Sequence, residues 1–134
     1  MCAATGCRLD LVAPLFNVDD TKLRRAGLDY WHLLDVCFYK STDEWFSKNS
    51  KTRAWFVELG SPKPYTQAKF NPKDAIILGD EQSGISKEIL EKFKDFHISI
   101  PQKNVRSMNL AMCTAVVAFE ALRQNSFPKM TLAD

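Results

Sequence analysis

Two short segments concentrate residue types able to do chemistry. Gly79 to Ser86 (GDEQSGIS) places two glycines, two carboxylates and two hydroxyls between an apolar run and an amphipathic one. Pro101 to Asn109 (PQKNVRSMN) gathers Arg106, Ser107 and Asn109, a cation, a hydroxyl and an amide, at an expected helix start where backbone N–H groups point outward. The first segment nearly matches the phosphate-cradling pattern G-x-x-x-x-G-K-[ST], with Gly79, Gly84 and Ser86 in place, but Ile85 stands where the phosphate-binding lysine is required. Asp80 and Glu81 would also repel a polyphosphate, whereas a ligand carrying positive charge is compatible with them. S-Adenosylmethionine, with its sulfonium and ammonium, is such a ligand. By themselves the glycines also fit an ordinary strand-to-helix turn, and Ser107 with a solvated Arg106 fits an ordinary cap.

The elements around these segments alternate. Arg8 to Ala13 reads as a short strand ending at Pro14. Asp20 caps a helix over Thr21 to Ala26 that closes at Gly27, and Asp35 to Lys40 follows as a second strand. Ser41 and Glu44 form a capping box opening a helix that carries Trp45 and Phe46. Arg53 to Leu59 gives a third strand, and Gly60 to Pro72 a loop rich in Pro and Lys. Asp74 to Leu78 is nearly continuous in apolar residues, the pattern of a strand covered on both faces. Ser86 caps a helix over Lys87 to Phe93, His97 to Ile100 is a fifth strand, and a long helix runs from about Ser107 to Gln124. The alternation predicts an α/β domain with a mostly parallel sheet and flanking helices, in which ligands bind beyond the carboxyl ends of the strands, where both segments lie.

Bulk properties narrow the partners. The 134 residues suit one domain, taken as residues 1–134, and 46% hydrophobic with 25% charged residues is the balance of a globular chain. A net charge of +2 excludes blanket binding to nucleic acid and permits a local basic patch. Cys2, Cys7, Cys37 and Cys113 form no C-x-x-C pair, which argues for buried thiols of a cytoplasmic protein rather than zinc ligands or disulfides. The longest apolar run, Ala115 to Phe119, is far short of the roughly 20 residues a membrane span needs. Within Leu110 to Phe119 only Thr114 is polar, so the last helix is expected to be covered on several sides, by its own sheet and by a second chain. Ala111, Ala115 and Ala118 offer a small-residue stripe for a symmetric contact. Burial wholly within one subunit is the other reading of this helix.

Three segments together, KLRRAGLDY (Lys22 to Tyr30), LGDEQSGIS and IPQKNVRSMNLAMCTAVVAFEALRQ, resemble motifs of the SPOUT methyltransferases, most closely the tRNA (cytidine/uridine-34-2′-O)-methyltransferase (TrmL) subfamily. The resemblance runs in the same order from Cys2 to about Gln124. It implies an α/β fold with a C-terminal trefoil knot, a homodimer, S-adenosylmethionine as methyl donor and the wobble ribose of tRNA as acceptor. Position by position it implies that Val57, Gly79, Gly84, Ile100, Ser107, Met108 and Leu110 hold the methyl donor. Glu81, Arg106, Ser107 and Asn109 fall around the reacting centre, and Arg24, Arg25 and Arg106 grip RNA phosphates. Tyr30 and Trp31 serve core packing or base stacking.

The same resemblance places a strand and an N-x-x-x-x-R helix, bearing an arginine expected to be catalytic, before Cys2. The chain therefore reads as N-terminally truncated relative to the family, by about 15–20 residues on average element sizes. Phe119 replaces a tyrosine common in the family. Two functions follow as expectations: a tRNA 2′-O-ribose methyltransferase or, as the alternative, a non-catalytic RNA-binding or dimerising remnant of the fold.

Overall fold

The computed structural model describes residues 1–14, 30–103 and 107–131. The expected helix over Thr21 to Ala26 with its Gly27 stop, and the three arginines Arg24, Arg25 and Arg106, lie outside the described residues. The chain divides into two compact units, Met1–Lys51 and Thr52–Asp134.

In the first unit a short helix α1 (Cys2–Thr5) closes at Gly6, whose φ of 69° is the left-handed conformation that glycine adopts without strain. Strands β1 (Leu9–Val12) and β2 (Val36–Tyr39) pair in parallel, with Leu9 opposite Val36 and Val12 opposite Tyr39. Helix α2 (Thr42–Lys48) begins where the capping box places it. The Ser41 hydroxyl accepts from the Glu44 N–H at 3.2 Å, while the Glu44 carboxylate takes the N–H of Lys40 at 2.6 Å, one residue earlier than a standard box. Trp45 is buried on this helix and donates through its indole to Asp10 at 2.7 Å, and Arg8 clamps the same carboxylate at 2.8 and 2.9 Å. A polar network thus fixes β1 to α2. Tyr30 is 64% exposed, so core packing is not its role.

The second unit is built on three parallel strands, β3 (Ala54–Val57), β4 (Ala75–Leu78) and β5 (His97–Ile98), in the order β4-β3-β5. The chain steps outward from β3 to β4 and returns across β3 to β5, so the segments after all three strands leave the same edge. The strand covered on both faces is β3 and not, as its apolar run suggests, β4. Trp55 packs with Ala68, Phe70, Ile98 and Val117 on one side, and Phe56, wholly buried, stacks on Phe93 at 5.0 Å on the other. β4 is half-buried at the edge of this sheet. Local hydrophobicity reports burial demand and not strand order, which is why the sequence assigns this place to the wrong strand.

Helices α3 (Lys87–Lys92) and α4 (Leu110–Gln124) flank the sheet. Ser86 caps α3, accepting from the Ile89 N–H. Helix α4 starts three residues later than expected, because Asn109 and not Ser107 is its cap. The Asn109 Oδ1 accepts from Ala111 and Met112 at 2.9 and 3.3 Å. Val117 and Ala118 of α4 are buried within the unit while Met112 and Phe119 are exposed, so the alanine stripe does not form one outward face.

The segment Gly60 to Pro72, expected as a plain loop, contributes Ala68 and Phe70 to the core. It is tied to α4 by Gln124, which accepts from the Phe70 N–H and donates to the Ala68 carbonyl, both at 2.9 Å. Asp74 is a second tie the sequence does not advertise: it accepts from Arg53 at 2.5 and 3.0 Å, the Trp55 indole at 3.0 Å and the Asn71 N–H at 2.8 Å. The four cysteines are free and half-buried, less enclosed than expected.

Candidate functional site

Beyond the carboxyl ends of β3, β4 and β5 lies a cleft of about 260 Å³, walled by Val57 to Leu59, Leu78 to Gly84, Ile100 and Gln102, and Ser107, Met108, Leu110 and Cys113. Parallel α/β sheets place their ligands at this edge, because the strands end there together and the following loops are free to diverge. All seven residues expected around a methyl donor, Val57, Gly79, Gly84, Ile100, Ser107, Met108 and Leu110, line this one cleft.

The loop after β4 is closed by its own groups. One oxygen of Asp80 accepts from the N–H groups of Gln82 and Ser83 at 2.9 and 2.8 Å and from the Ser83 hydroxyl at 2.9 Å. These bonds, led by the backbone N–H of Ser83, hold the Asp80 carboxyl below its usual pKa. The Gly84 N–H returns to the Asp80 carbonyl at 2.9 Å. Gly79 is required by this closure: a Cβ there would collide with the carbonyl carbon of Gly84 and lie 2.5 Å from the Ile85 nitrogen. A side chain at position 79 would therefore break the loop itself, beyond merely filling the ligand's space. Gly84 has a φ of 68°.

Sequence reasoning missed Glu58, the residue that follows β3. Its carboxylate accepts from the Ile85 N–H at 3.2 Å and from its neighbour Leu59 at 3.1 Å, clasping the loop after β4 to the end of β3. It also missed Gln102, whose Oε1 is buried with no hydrogen-bond partner, and Cys113, which lines the cleft from α4 with its thiol 3.8 Å from the Met108 carbonyl and its pKa raised by burial. A glutamate after an apolar run and a glutamine after proline carry no local signal of these positions.

Of the residues expected around a reacting centre, Glu81 and Ser107 line the cleft and are exposed. Asn109 stands beside it with its amide oxygen engaged in capping α4. Arg106 lies outside the described residues. Neither His32 nor His97 lines the cleft. Among the described residues no group of three His, Cys, Asp or Glu is placed to hold a metal ion, and no helix is long and apolar enough to cross a membrane.

The geometry defines a class: an α/β protein with parallel strands, flanking helices and a ligand cleft at the strands' carboxyl edge. The chain belongs to the SpoU rRNA methylase family, whose model matches residues 1–119. A Saccharophagus degradans protein named tRNA (cytidine(34)-2′-O)-methyltransferase is 38% identical over 130 residues, spanning 95% of this chain and 84% of its own. A Geobacillus stearothermophilus protein provisionally given the same name is 40% identical over 131 residues, spanning 94% of this chain and 83% of its own. A solved structure described as giving insight into 2′-OH methylation of C/U34 on tRNA superposes with a TM-score of 0.86 at 34% identity, over 93% of this chain and 83% of that one. The family implied by the three motifs is thus the family to which the chain belongs.

Proposed function

We propose that this protein methylates the 2′-oxygen of the wobble ribose of tRNA, C or U at position 34, with S-adenosylmethionine as donor. The observation that carries the reading is the convergence of Val57, Gly79, Gly84, Ile100, Ser107, Met108 and Leu110 on a single cleft. Relatives named for this activity, at 38–40% identity, supply the substrate.

The cleft suits the cofactor. Its walls mix apolar side chains for a flat ring with loop backbone and acidic groups, Glu58, Asp80 and Glu81, that favour a cationic ligand. When bound, S-adenosylmethionine supplies a methyl group activated on its sulfonium. The chain's own part is positioning, since methyl transfer requires an in-line approach of the ribose oxygen and removal of its proton. Ser107 offers an exposed hydroxyl on the cleft to orient the ribose, Glu81 a carboxylate from the loop after β4, and Asn109 its amide NH2. Arg106 is assigned to the reacting centre and, with Arg24 and Arg25, to the RNA phosphates, where guanidinium gives paired hydrogen bonds.

The assembly is proposed as one trefoil-knotted family domain in a cytoplasmic homodimer. The exposed Met112 and Phe119 of α4, 59% and 44% accessible, are the apolar contact for the second chain. The test incubates the full chain with unmodified tRNA and S-adenosylmethionine and detects 2′-O-methylnucleosides by mass spectrometry. Methylation at position 34 is expected. Cofactor binding with no methyl transfer to any tRNA would favour the non-catalytic alternative.

A further inference from the structure

The loop after β4 takes its shape from itself and its place from one residue. Within residues 80–85 the hydrogen bonds to the Asp80 carboxylate and the bond from the Gly84 N–H to the Asp80 carbonyl stay inside the turn. The bond that leaves it, among the described residues, runs from the Ile85 N–H to one carboxylate oxygen of Glu58 at 3.2 Å. Glu58 is itself fixed at the seam of the sheet. Its main-chain N–H donates to the Ile98 carbonyl of β5 at 2.9 Å, and its other carboxylate oxygen accepts from the Leu59 N–H at 3.1 Å. One residue therefore joins the end of β3, the end of β5 and the loop after β4, and Glu58 and that loop both line the cleft. Gly84 leaves room for this arrangement, since a Cβ there would stand 3.3 Å from the nearer carboxylate oxygen. Ile85 is buried, so its N–H depends on Glu58 for an acceptor.

We infer that Glu58 is a positioning residue of the donor site, setting the loop after β4 in its ligand-ready place through the hydrogen bond from Ile85. This rests on the proposal that the cleft holds S-adenosylmethionine. The loop so placed carries Gly79 and Gly84, both assigned to the donor, and the segment assigned to the ribose, Arg106 to Asn109, is not bonded to Glu58 among the described residues. Loss of the tie therefore weakens donor binding and leaves the chemical step alone: the loop must be ordered at the ligand's expense, a cost taken from affinity. The role belongs to the acceptor oxygen and not to the charge, because what the loop presents is a neutral N–H group.

Two variants of the full chain test this by calorimetry with S-adenosylhomocysteine and by amide hydrogen exchange at Ile85. Glu58→Met, close in shape and without an acceptor, is expected to weaken S-adenosylhomocysteine about tenfold and to speed exchange at Ile85. In methyl transfer the KM for S-adenosylmethionine should rise by the same factor while kcat stays within about twofold. Glu58→Gln removes the charge and keeps an oxygen for the Ile85 N–H, so affinity should return to within about threefold of the unmodified chain and Ile85 should stay protected. Unchanged S-adenosylhomocysteine affinity in Glu58→Met would overturn the inference, as would a fall in kcat with KM unchanged. A loss in Glu58→Gln as large as in Glu58→Met would also do so, since charge would then be the working property. If Glu58→Met does not fold, Glu58→Gln still decides the matter, and an Ile85 amide that exchanges at the open-chain rate in the ligand-free unmodified protein overturns the inference without any variant. Failure of the unmodified chain to bind S-adenosylhomocysteine while Ile85 is protected would instead overturn the cofactor reading beneath it.

Discussion

Between Gly79 and Gly84 the polar groups answer one another. Asp80 gathers the N–H groups of the turn, Gly84 returns to the Asp80 carbonyl, and Glu58 takes the next N–H, that of Ile85. Among the described residues from Pro101 to Asn109 they do so less: the Gln102 Oε1 and the Ser107 hydroxyl have no partner, while the Asn109 amide caps α4 and the Met108 carbonyl accepts from the Cys113 thiol. The first loop is a scaffold whose shape is set before any ligand arrives. The second leaves the Ser107 hydroxyl open at the cleft, where it is free for ligand or substrate. Polar residues are divided in this way between fixing the cleft and facing its contents.

The scaffold side of this contrast breaks most completely at Gly79. Gly79→Val puts a side chain into the backbone of Gly84 and Ile85, and S-adenosylhomocysteine binding should fall below calorimetric detection while far-ultraviolet dichroism remains near normal. Ordinary affinity in that variant would show that the loop can close by another route.

Asp80→Ala removes three hydrogen bonds and leaves the backbone path intact, so a loss of about tenfold in affinity is expected, the size of one to two net hydrogen bonds. The same dependence should appear with pH. Because the folded carboxyl titrates below the unfolded value of about 3.9, its contribution is complete above that value and is lost as the pH falls through the lower, folded one. Binding that strengthened on acidification would contradict the role given to Asp80.

The reading side is sharpened by Ser107→Ala. Its hydroxyl supports no described element and its backbone stays on the donor cleft in the variant, so S-adenosylhomocysteine affinity should fall only about threefold while methyl transfer falls tenfold or more, within the range for a positioned group acting on proton transfer. Equal losses in both would move Ser107 to the scaffold. The smallest effect belongs to Asn109→Ala, where loss of the α4 cap should cost about 1 kcal/mol in denaturant unfolding.

Much of this division was legible in the sequence because it rests on local chemistry. The caps at Ser41 and Ser86, the glycines of the loop after β4 and the existence of β3 as a strand each follow from neighbours within a few residues. The rest depends on contacts distant in the chain. Asp74, expected as the first residue of a strand, stands one residue before β4, and its bonds to Arg53 and Trp55 exist only once β3 and β4 pair. Phe70 sits in a stretch whose prolines and lysines signal a loop, and it is core because α4 folds over it. Ser107 and Asn109 are both good caps two residues apart, and only the geometry of α4 assigns the work to Asn109. Glu58 and Gln102 are ordinary polar residues until three strand ends bring them to one cleft.

Titrating the full chain with S-adenosylhomocysteine by calorimetry, alone and in the presence of ATP, tests most directly whether that cleft holds an adenosyl methyl donor. The account predicts saturable binding of one S-adenosylhomocysteine per chain that millimolar ATP does not displace, because Ile85 replaces the phosphate-binding lysine and Asp80 and Glu81 disfavour a polyphosphate. Displacement by ATP, or no binding of S-adenosylhomocysteine at all, would contradict it.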